Sequence, residues 1–250
     1  MGIYEDTRIP FGIKNAPARF QRMMDTIFQE EIVEGWLVVY IDGIIIYSET
    51  WEDHVQHTDR VLSICTPIHL KISLEEYNFG QQELLALGHK VSGLSVAIYQ
   101  NKVAEVLQNP VPKNIKEIQT FLGFAMYYRN HIKRLSHIAS SLYKLCSKDV
   151  VFEITKERRD AYESIKHELT NSPVLILSDF ELRFDLYIDA AGSQGLGASL
   201  HQRQIVDGEP REGDIFCISR QLTDSEARYL AAQTEFLCLV WALEKLHYYM

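Results

Sequence analysis

The feature that most constrains the fold is an apolar, β-rich run, Leu37–Tyr47, that is interrupted only at Asp42-Gly43. An Asp-Gly pair between two short β-branched runs predicts a tight hairpin turn with Asp42 at its tip. Gly43 is expected to supply the positive φ that such a turn needs. A helical apolar pattern starts at Asn15 and another at Trp51, so this part of the chain is predicted to be α+β.

The rest of the chain is also predicted to mix helices and strands. Asn114 with Glu117 has the spacing of a capping box and predicts a helix start, and Thr223 with Glu226 predicts a helix that runs essentially to the C-terminus. A boundary is expected near Ser172, because the pattern after it is strand-strand-strand-helix. The further strands are predicted at residues 84–91, 183–189, 196–200 and 215–218, and a helix at 156–169.

Composition excludes several classes of protein. No apolar run approaches the roughly 20 residues of a membrane-spanning helix, and the N-terminus lacks the basic and apolar regions of a secretory signal. The four cysteines include no C-x-x-C motif, which predicts reduced and mostly buried thiols. We therefore expect a cytoplasmic or nuclear protein that is not secreted.

Charge is unevenly distributed along the chain. The net charge of −9 disfavours a nucleic-acid partner, but residues 111–148 contain seven basic residues and one acid. The densest basic group is Arg129, Lys133 and Arg134, with aromatic residues interleaved before it. Two interpretations stay open for these basic side chains: a surface that follows a nucleic-acid backbone, and an ordinary solvated face. The aromatic residues have helical spacing and are expected to be core.

Six blocks in a fixed order carry a family resemblance. They are P-F-G-I-K-N-A-P-A-R-F-Q at 10–21, Y-I-D-G at 40–43, L-G-H at 87–89, F-L-G-F-A-M-Y-Y-R at 121–129, L-Y-I-D-A-A-G at 186–192 and T-E-F-L-C-L-V-W-A-L at 234–243. This set resembles the reverse transcriptase/ribonuclease H region of gypsy-type LTR retrotransposon polyproteins. The resemblance implies a partial palm at 1–95, thumb and connection at 96–172, and the N-terminal β-β-β-α part of a truncated ribonuclease H-like domain at 173–250.

The resemblance also implies roles for individual residues. Asp42 would be a metal-binding aspartate of the polymerase hairpin, and the implied chemistry is two-metal phosphoryl transfer with Mg²⁺. The other implied site residues are Phe11, Gly12 and Gln21 around the incoming nucleotide, Leu87, Gly88 and His89 as the primer grip, and Asp189 and Glu235 as the first two ribonuclease H carboxylates and metal ligands. The implied partners are an RNA/DNA template–primer or hybrid and the remainder of a retroelement polyprotein.

The sequence departs from the family at both implied catalytic sites. The family's hairpin has two adjacent aspartates and a third on an upstream strand, whereas Gly43 replaces the second here and the upstream strand is not among these residues. The third ribonuclease H carboxylate is expected beyond Met250. The sequence therefore predicts a fragment, truncated at both ends and inactive as written. The alternatives are a module that binds RNA–DNA hybrid and a protein-interaction module that docks through open sheet edges.

Overall fold

The computed structural model describes residues 12–73, 75, 77–147, 150–191, 195–206 and 209–250. The chain forms two compact units, Met1–Gln81 and Gln82–Met250, and each unit contains a hydrophobic core of its own. Helices and antiparallel sheets occur together, which confirms the predicted α+β class. No helix among the described residues is long and apolar enough to cross a membrane.

The first unit packs three helices around a two-stranded hairpin. Its elements are α1 (Ala16–Ile27), α2 (Gln29–Glu34), β1 (Leu37–Tyr40), β2 (Gly43–Ile46) and α3 (Trp51–Cys65). Met24 and Phe28 are one helical turn apart and bury against Leu37 and Val39 of β1 and Val61 of α3. The helical spacing of the apolar residues before the hairpin therefore produced a buried face, as predicted.

The second unit contains two antiparallel sheets and a group of helices. Its strands are β3 (Glu83–Ala86), β4 (His89–Ser92), β5 (Ser95–Ile98), β6 (Leu175–Ile176), β7 (Phe184–Ala191), β8 (Gly195–Val206) and β9 (Glu209–Arg220). Its helices are α4 (Gln100–Leu107), α5 (Ile115–Tyr127), α6 (Leu135–Ile138), α7 (Ser140–Leu145), α8 (Lys156–Thr170) and α9 (Ala231–Lys245). The sheet orders are β3-β4-β5-β6 and β7-β8-β9, and α9 packs on the second sheet, which gives the predicted β-β-β-α arrangement.

The helical core of this unit contains side chains of all five helices from α4 to α8. Phe121 of α5 packs on Tyr162 of α8 with ring centroids 4.3 Å apart, and both side chains are buried. Asn114 caps the start of α5 as predicted, because its Oδ1 accepts the Glu117 N–H at 2.9 Å. The capping box itself is incomplete, since Glu117 Oε2 accepts the N–H of Lys113, at 2.8 Å, and not that of Asn114. The aromatic spacing of this segment is therefore mainly a core pattern.

Two local predictions are wrong. The stretch 84–91 is two strands rather than one, because the chain turns at Leu87 and Gly88, whose φ angles are +48° and +75°. The second capping box does form, with the Thr223 N–H donating to Glu226 Oε2 at 2.9 Å, but it starts a short 3₁₀ turn. The long helix begins only at Ala231.

Candidate functional site

The polymerase-type hairpin turns one residue earlier than the Asp-Gly signal predicts. Tyr40 pairs with Gly43, so that Ile41 and Asp42 are the two turn residues and Gly43 is the first residue of β2. The positive φ of the turn, +53°, belongs to Ile41. The expectation that Gly43 supplies it is therefore wrong. A Cβ built on Gly43 meets only the Tyr40 carbonyl oxygen, at an ordinary 3.5 Å, so the backbone does not require glycine there.

Gln21 on α1 holds this turn in place. Its Oε1 accepts the backbone N–H of Ile41 at 2.6 Å, and its Nε2 donates to the carbonyl of Val39 at 3.0 Å and to Asp25 Oδ1 at 2.8 Å. A β-branched residue at positive φ is strained and persists only where its surroundings fix it. The Gln21 amide makes that fixing contact.

The structure gives few contacts for the other two residues that are predicted to surround the nucleotide. Gly12 is exposed and has a φ of +88°, and none of the described residues lies within 4 Å of a Cβ built on it. Phe11 lies outside the described residues. The nucleotide-pocket role of Phe11, Gly12 and Gln21 stays a prediction.

The hairpin does not fit a tightly bound Mg²⁺. Asp42 is exposed in the turn, and Gly43 offers no second carboxylate. Across the described ranges, no group of three histidine, cysteine, aspartate or glutamate side chains is placed to hold a metal ion. Mg²⁺ retains its waters unless several oxygens converge on it, so Asp42 by itself is a weak ligand.

The predicted primer-grip residues form a tight turn that two tyrosines hold. Leu87 and Gly88 join β3 to β4, and the α5 end places Tyr127 and Tyr128 over them. The Tyr127 hydroxyl donates to the Leu87 carbonyl, and the Tyr128 hydroxyl donates to the Gly88 carbonyl at 3.0 Å. A Cβ on Gly88 would lie 2.8 Å from Tyr128 Oη, so the close approach requires glycine.

His89 extends this arrangement into an aromatic cluster. Its ring lies 5.2 Å from the Tyr128 ring and 5.4 Å from the His131 ring, centroid to centroid. Tyr128 and His131 are both buried. Burial raises the pKa of the Tyr128 hydroxyl and lowers the pKa of the His131 imidazole, so both are neutral at pH 7. The Leu87–Gly88 turn thus packs on uncharged side chains. Its predicted role in binding the primer end is not tested by these contacts.

The two predicted ribonuclease H carboxylates lie on elements that pack together. Asp189 is on β7 and Glu235 is on α9, and both are exposed. The elements meet at Cys238, whose thiol lies 3.3 Å from the Gly197 carbonyl oxygen and 3.8 Å from that of Asp189. Asp189 already has a cationic partner, since Arg134 Nε lies 3.0 Å from its Oδ2. Because Arg134 already neutralises Asp189, this pair of carboxylates does not fit the Mg²⁺ that the family resemblance implies.

Lys133 is also paired within the chain. Its Nζ lies 3.0 Å from Oδ2 of the buried Asp214, whose Oδ1 lies 2.9 Å from His201 Nε2. Arg129, by contrast, is exposed and forms no ion pair with the described residues, and its Nη1 lies 3.4 Å from the Met126 carbonyl. No sequence pattern pointed to Asp214 or His201.

Two known families match the sequence, one in each half of the chain. Residues 1–91 match the family described as "Reverse transcriptase (RNA-dependent DNA polymerase)", and residues 154–250 match "RNase H-like domain found in reverse transcriptase". These matches define the class, a reverse transcriptase segment followed by an RNase H-like segment. Over its whole length the chain is similar to gypsy-type retrotransposon Pol polyproteins, which confirms the family resemblance that the six blocks carry.

Individual relatives agree with this family. Over the whole chain, the Pol polyprotein from transposon gypsy of Drosophila melanogaster is 34% identical and that from transposon 297 is 35% identical. The Tf2-7 polyprotein of Schizosaccharomyces pombe is 31% identical. The chain spans 24%, 23% and 18% of the lengths of these three relatives.

Solved structures show the same fold. The foamy viral protease-reverse transcriptase in complex with RNA/DNA hybrid matches 96% of this chain and 32% of its own, with a TM-score of 0.77 and 21% identity. The same protein in complex with dsDNA matches 95% of this chain and 48% of its own, with a TM-score of 0.79 and 21% identity.

Proposed function

We propose that this chain supplies the duplex-holding part of a retrotransposon RNA-directed DNA polymerase and is catalytically inactive by itself. The observation that carries the proposal is the hairpin, in which Asp42 is held in the turn and Gly43 stands where the family has a second aspartate. The predicted primer-grip turn, Leu87–Gly88, is held by Tyr127 and Tyr128 and follows the hairpin in the sequence order of the family. These observations support a chain that holds a duplex but has less of the negative charge that polymerisation needs.

The inactivity follows from the chemistry of two-metal phosphoryl transfer. The two metal ions activate the attacking oxygen and stabilise the leaving oxygen, and clustered carboxylates hold both ions. Removing one member of a catalytic unit commonly lowers the rate about 10³-fold or more. Gly43 removes one carboxylate whatever sequence surrounds these 250 residues, so we expect the same defect in a longer polyprotein.

The test is Mg²⁺-dependent primer extension on a purified template–primer. We expect no extension by this chain and none by Gly43→Asp alone, but extension when Gly43→Asp is combined with the family's upstream fingers–palm segment. The matched control is Gly93→Asp in that longer protein, which adds the same charge where a Cβ meets nothing within 4 Å. Extension by the unaltered chain that disappears in Asp42→Asn would refute the proposal, and so would equal activity of the two glycine variants.

A second candidate function is binding of RNA–DNA hybrid without catalysis. The exposed Arg129, at the end of the helix whose tyrosines hold the primer-grip turn, favours it. A gel shift that weakens steeply with salt would support this function, and no shift at low salt would exclude it. The remainder of the polyprotein is the partner we propose for both functions, and co-purification of a defined complex tests it.

We also propose the domain limits 1–95 for the palm, 96–172 for thumb and connection and 173–250 for the RNase H-like part. Limited proteolysis with mass spectrometry tests them, because cleavage concentrates in exposed linkers between folded parts.

A further inference from the structure

We infer that Arg134, rather than a metal ion, is the counter-ion of Asp189 on β7. The segment Lys133–Ser136 holds Arg134 there and so disfavours metal binding at this carboxylate. Arg134 Nε lies 3.0 Å from Asp189 Oδ2, with 42% and 50% of the two side chains exposed. An ion pair this exposed contributes little stability by itself. Arg134 therefore needs further contacts of its own segment to stay beside Asp189.

The segment Lys133–Ser136, called the docking segment below, has three further contacts with the same part of the fold. Lys133 Nζ lies 3.0 Å from Oδ2 of the buried Asp214 on β9. The Ser136 N–H donates to Ser219 Oγ at 3.1 Å, and Gln221 Nε2 donates to the Ser136 carbonyl at 3.3 Å. Arg134 thus sits between two anchored residues, so its backbone is held close to the strand that carries Asp189.

The backbone and its surroundings are shaped for this arrangement. Arg134 has a φ of +57°, a left-handed conformation that non-glycine residues adopt only when the structure around them holds it. Gly197 is the residue opposite Asp189 on β8, and a Cβ built there would lie 3.6 Å from Arg134 Cγ. The aliphatic part of the arginine therefore packs directly over the strand pair that carries the carboxylate.

A metal ion and this guanidinium compete for one carboxylate. A divalent cation on Asp189 would stand a few ångströms from a fixed positive charge, and the two repel at that distance even near water. The described residues contain no group of three ligating side chains, so no complete set of ligands is placed to offset the repulsion. We expect removal of the arginine charge to tighten metal binding at Asp189 by about tenfold.

The test is a Mn²⁺ titration of the full chain, in which electron paramagnetic resonance counts the free ion. Arg134→Gln is expected to bind Mn²⁺ about tenfold more tightly than the unaltered chain, and adding Asp189→Asn should abolish the gain. Lys133→Gln is the matched control, because it removes an equal charge one residue away that faces Asp214 instead. Its Mn²⁺ affinity should equal that of the unaltered chain.

Two results would overturn the inference: an unchanged affinity in folded Arg134→Gln, or a loss of Mn²⁺ binding when Asp189→Asn is made in the unaltered chain. Hydrogen exchange of the unaltered chain covers the case in which the variant does not fold. Millimolar Mg²⁺ should leave exchange of the docking segment unchanged, whereas faster exchange there would show that the metal displaces Arg134.

Discussion

Replacement of Gly88 by alanine tests whether the two tyrosines fix the primer-grip turn. The φ of +75° costs an alanine about 1 kcal/mol. The added Cβ would lie 2.8 Å from Tyr128 Oη and must displace that hydroxyl from the Gly88 carbonyl. Leaving the hydroxyl of a buried tyrosine without a partner costs about 1–3 kcal/mol. Together these effects lower the free energy of unfolding by about 2–4 kcal/mol.

The assay is urea unfolding of the full chain followed by far-ultraviolet circular dichroism, with hydrogen exchange over residues 86–89 as the local measurement. Gly93→Ala is the control, since its Cβ meets nothing within 4 Å and its φ is not positive. We expect it to change the unfolding free energy by less than about 0.5 kcal/mol.

A second variant separates the backbone effect from the hydroxyl effect. Tyr128→Phe removes only the hydroxyl, and the Gly88 carbonyl keeps the N–H of Tyr99 at 3.1 Å, so the expected loss is about 1 kcal/mol. If Gly88→Ala is as stable as Gly93→Ala within about 0.5 kcal/mol, the tyrosines do not constrain the turn and the reasoning is wrong.

Three further predictions concern charge, ionisation and folding. In gel shifts with RNA–DNA hybrid over a salt series, Arg129→Ala should reduce the salt dependence of the binding affinity by about one phosphate contact. The double variant Lys133→Ala, Arg134→Ala should reduce it by less, because those two charges already face carboxylates. Burial raises the pKa of the Cys217 thiol to about 12, so above about pH 9 the unfolded chain loses this proton and the folded chain keeps it. Stability should therefore fall with rising pH, with up to about 1.4 kcal/mol per pH unit from this group, and Cys217→Ala should flatten the slope in urea titrations. The isolated residues 173–250 should show no cooperative thermal transition in calorimetry, since Asp214 would lose Lys133 and Ser219 would lose the Ser136 N–H; a sharp transition would contradict this.

Short-range patterns predicted α1, α3, α5 and α8 and the existence of the hairpin, but they placed its turn one residue too late. The Asp-Gly signal assigns the positive φ to the glycine, because glycine tolerates it best. In the structure the strained residue is Ile41, which is held by the Gln21 side chain 20 residues earlier. The register therefore depends on a tertiary hydrogen bond, and no local rule contains that information.

The primer-grip turn shows the same limit. An apolar stretch with one glycine predicts a single strand over 84–91, whereas Leu87 and Gly88 turn the chain. The carbonyls of both turn residues are bound by Tyr127 and Tyr128, each 40 residues further along the chain. Resemblance to the family located the L-G-H block correctly in sequence, but only the structure shows the hydroxyls that hold it.

The basic segment shows why charge counting along a sequence is incomplete. Residues 111–148 have an excess of six positive charges, and two interpretations stood open for Lys133 and Arg134, a nucleic-acid surface or a solvated face. The structure contains a third arrangement, in which the two side chains pair with Asp214 and Asp189, acids on β9 and β7 that follow much later in the chain. A charge that faces a carboxylate releases fewer counterions from a nucleic acid than a free one, since it is already partly neutralised. The exposed carboxylate of Asp189 is thereby less available to a metal. These contacts weaken two expectations, phosphate binding at Lys133 and Arg134 and metal binding at Asp189. Within the group Arg129, Lys133 and Arg134, only Arg129 has no ion pair with the described residues and is left to contact a duplex.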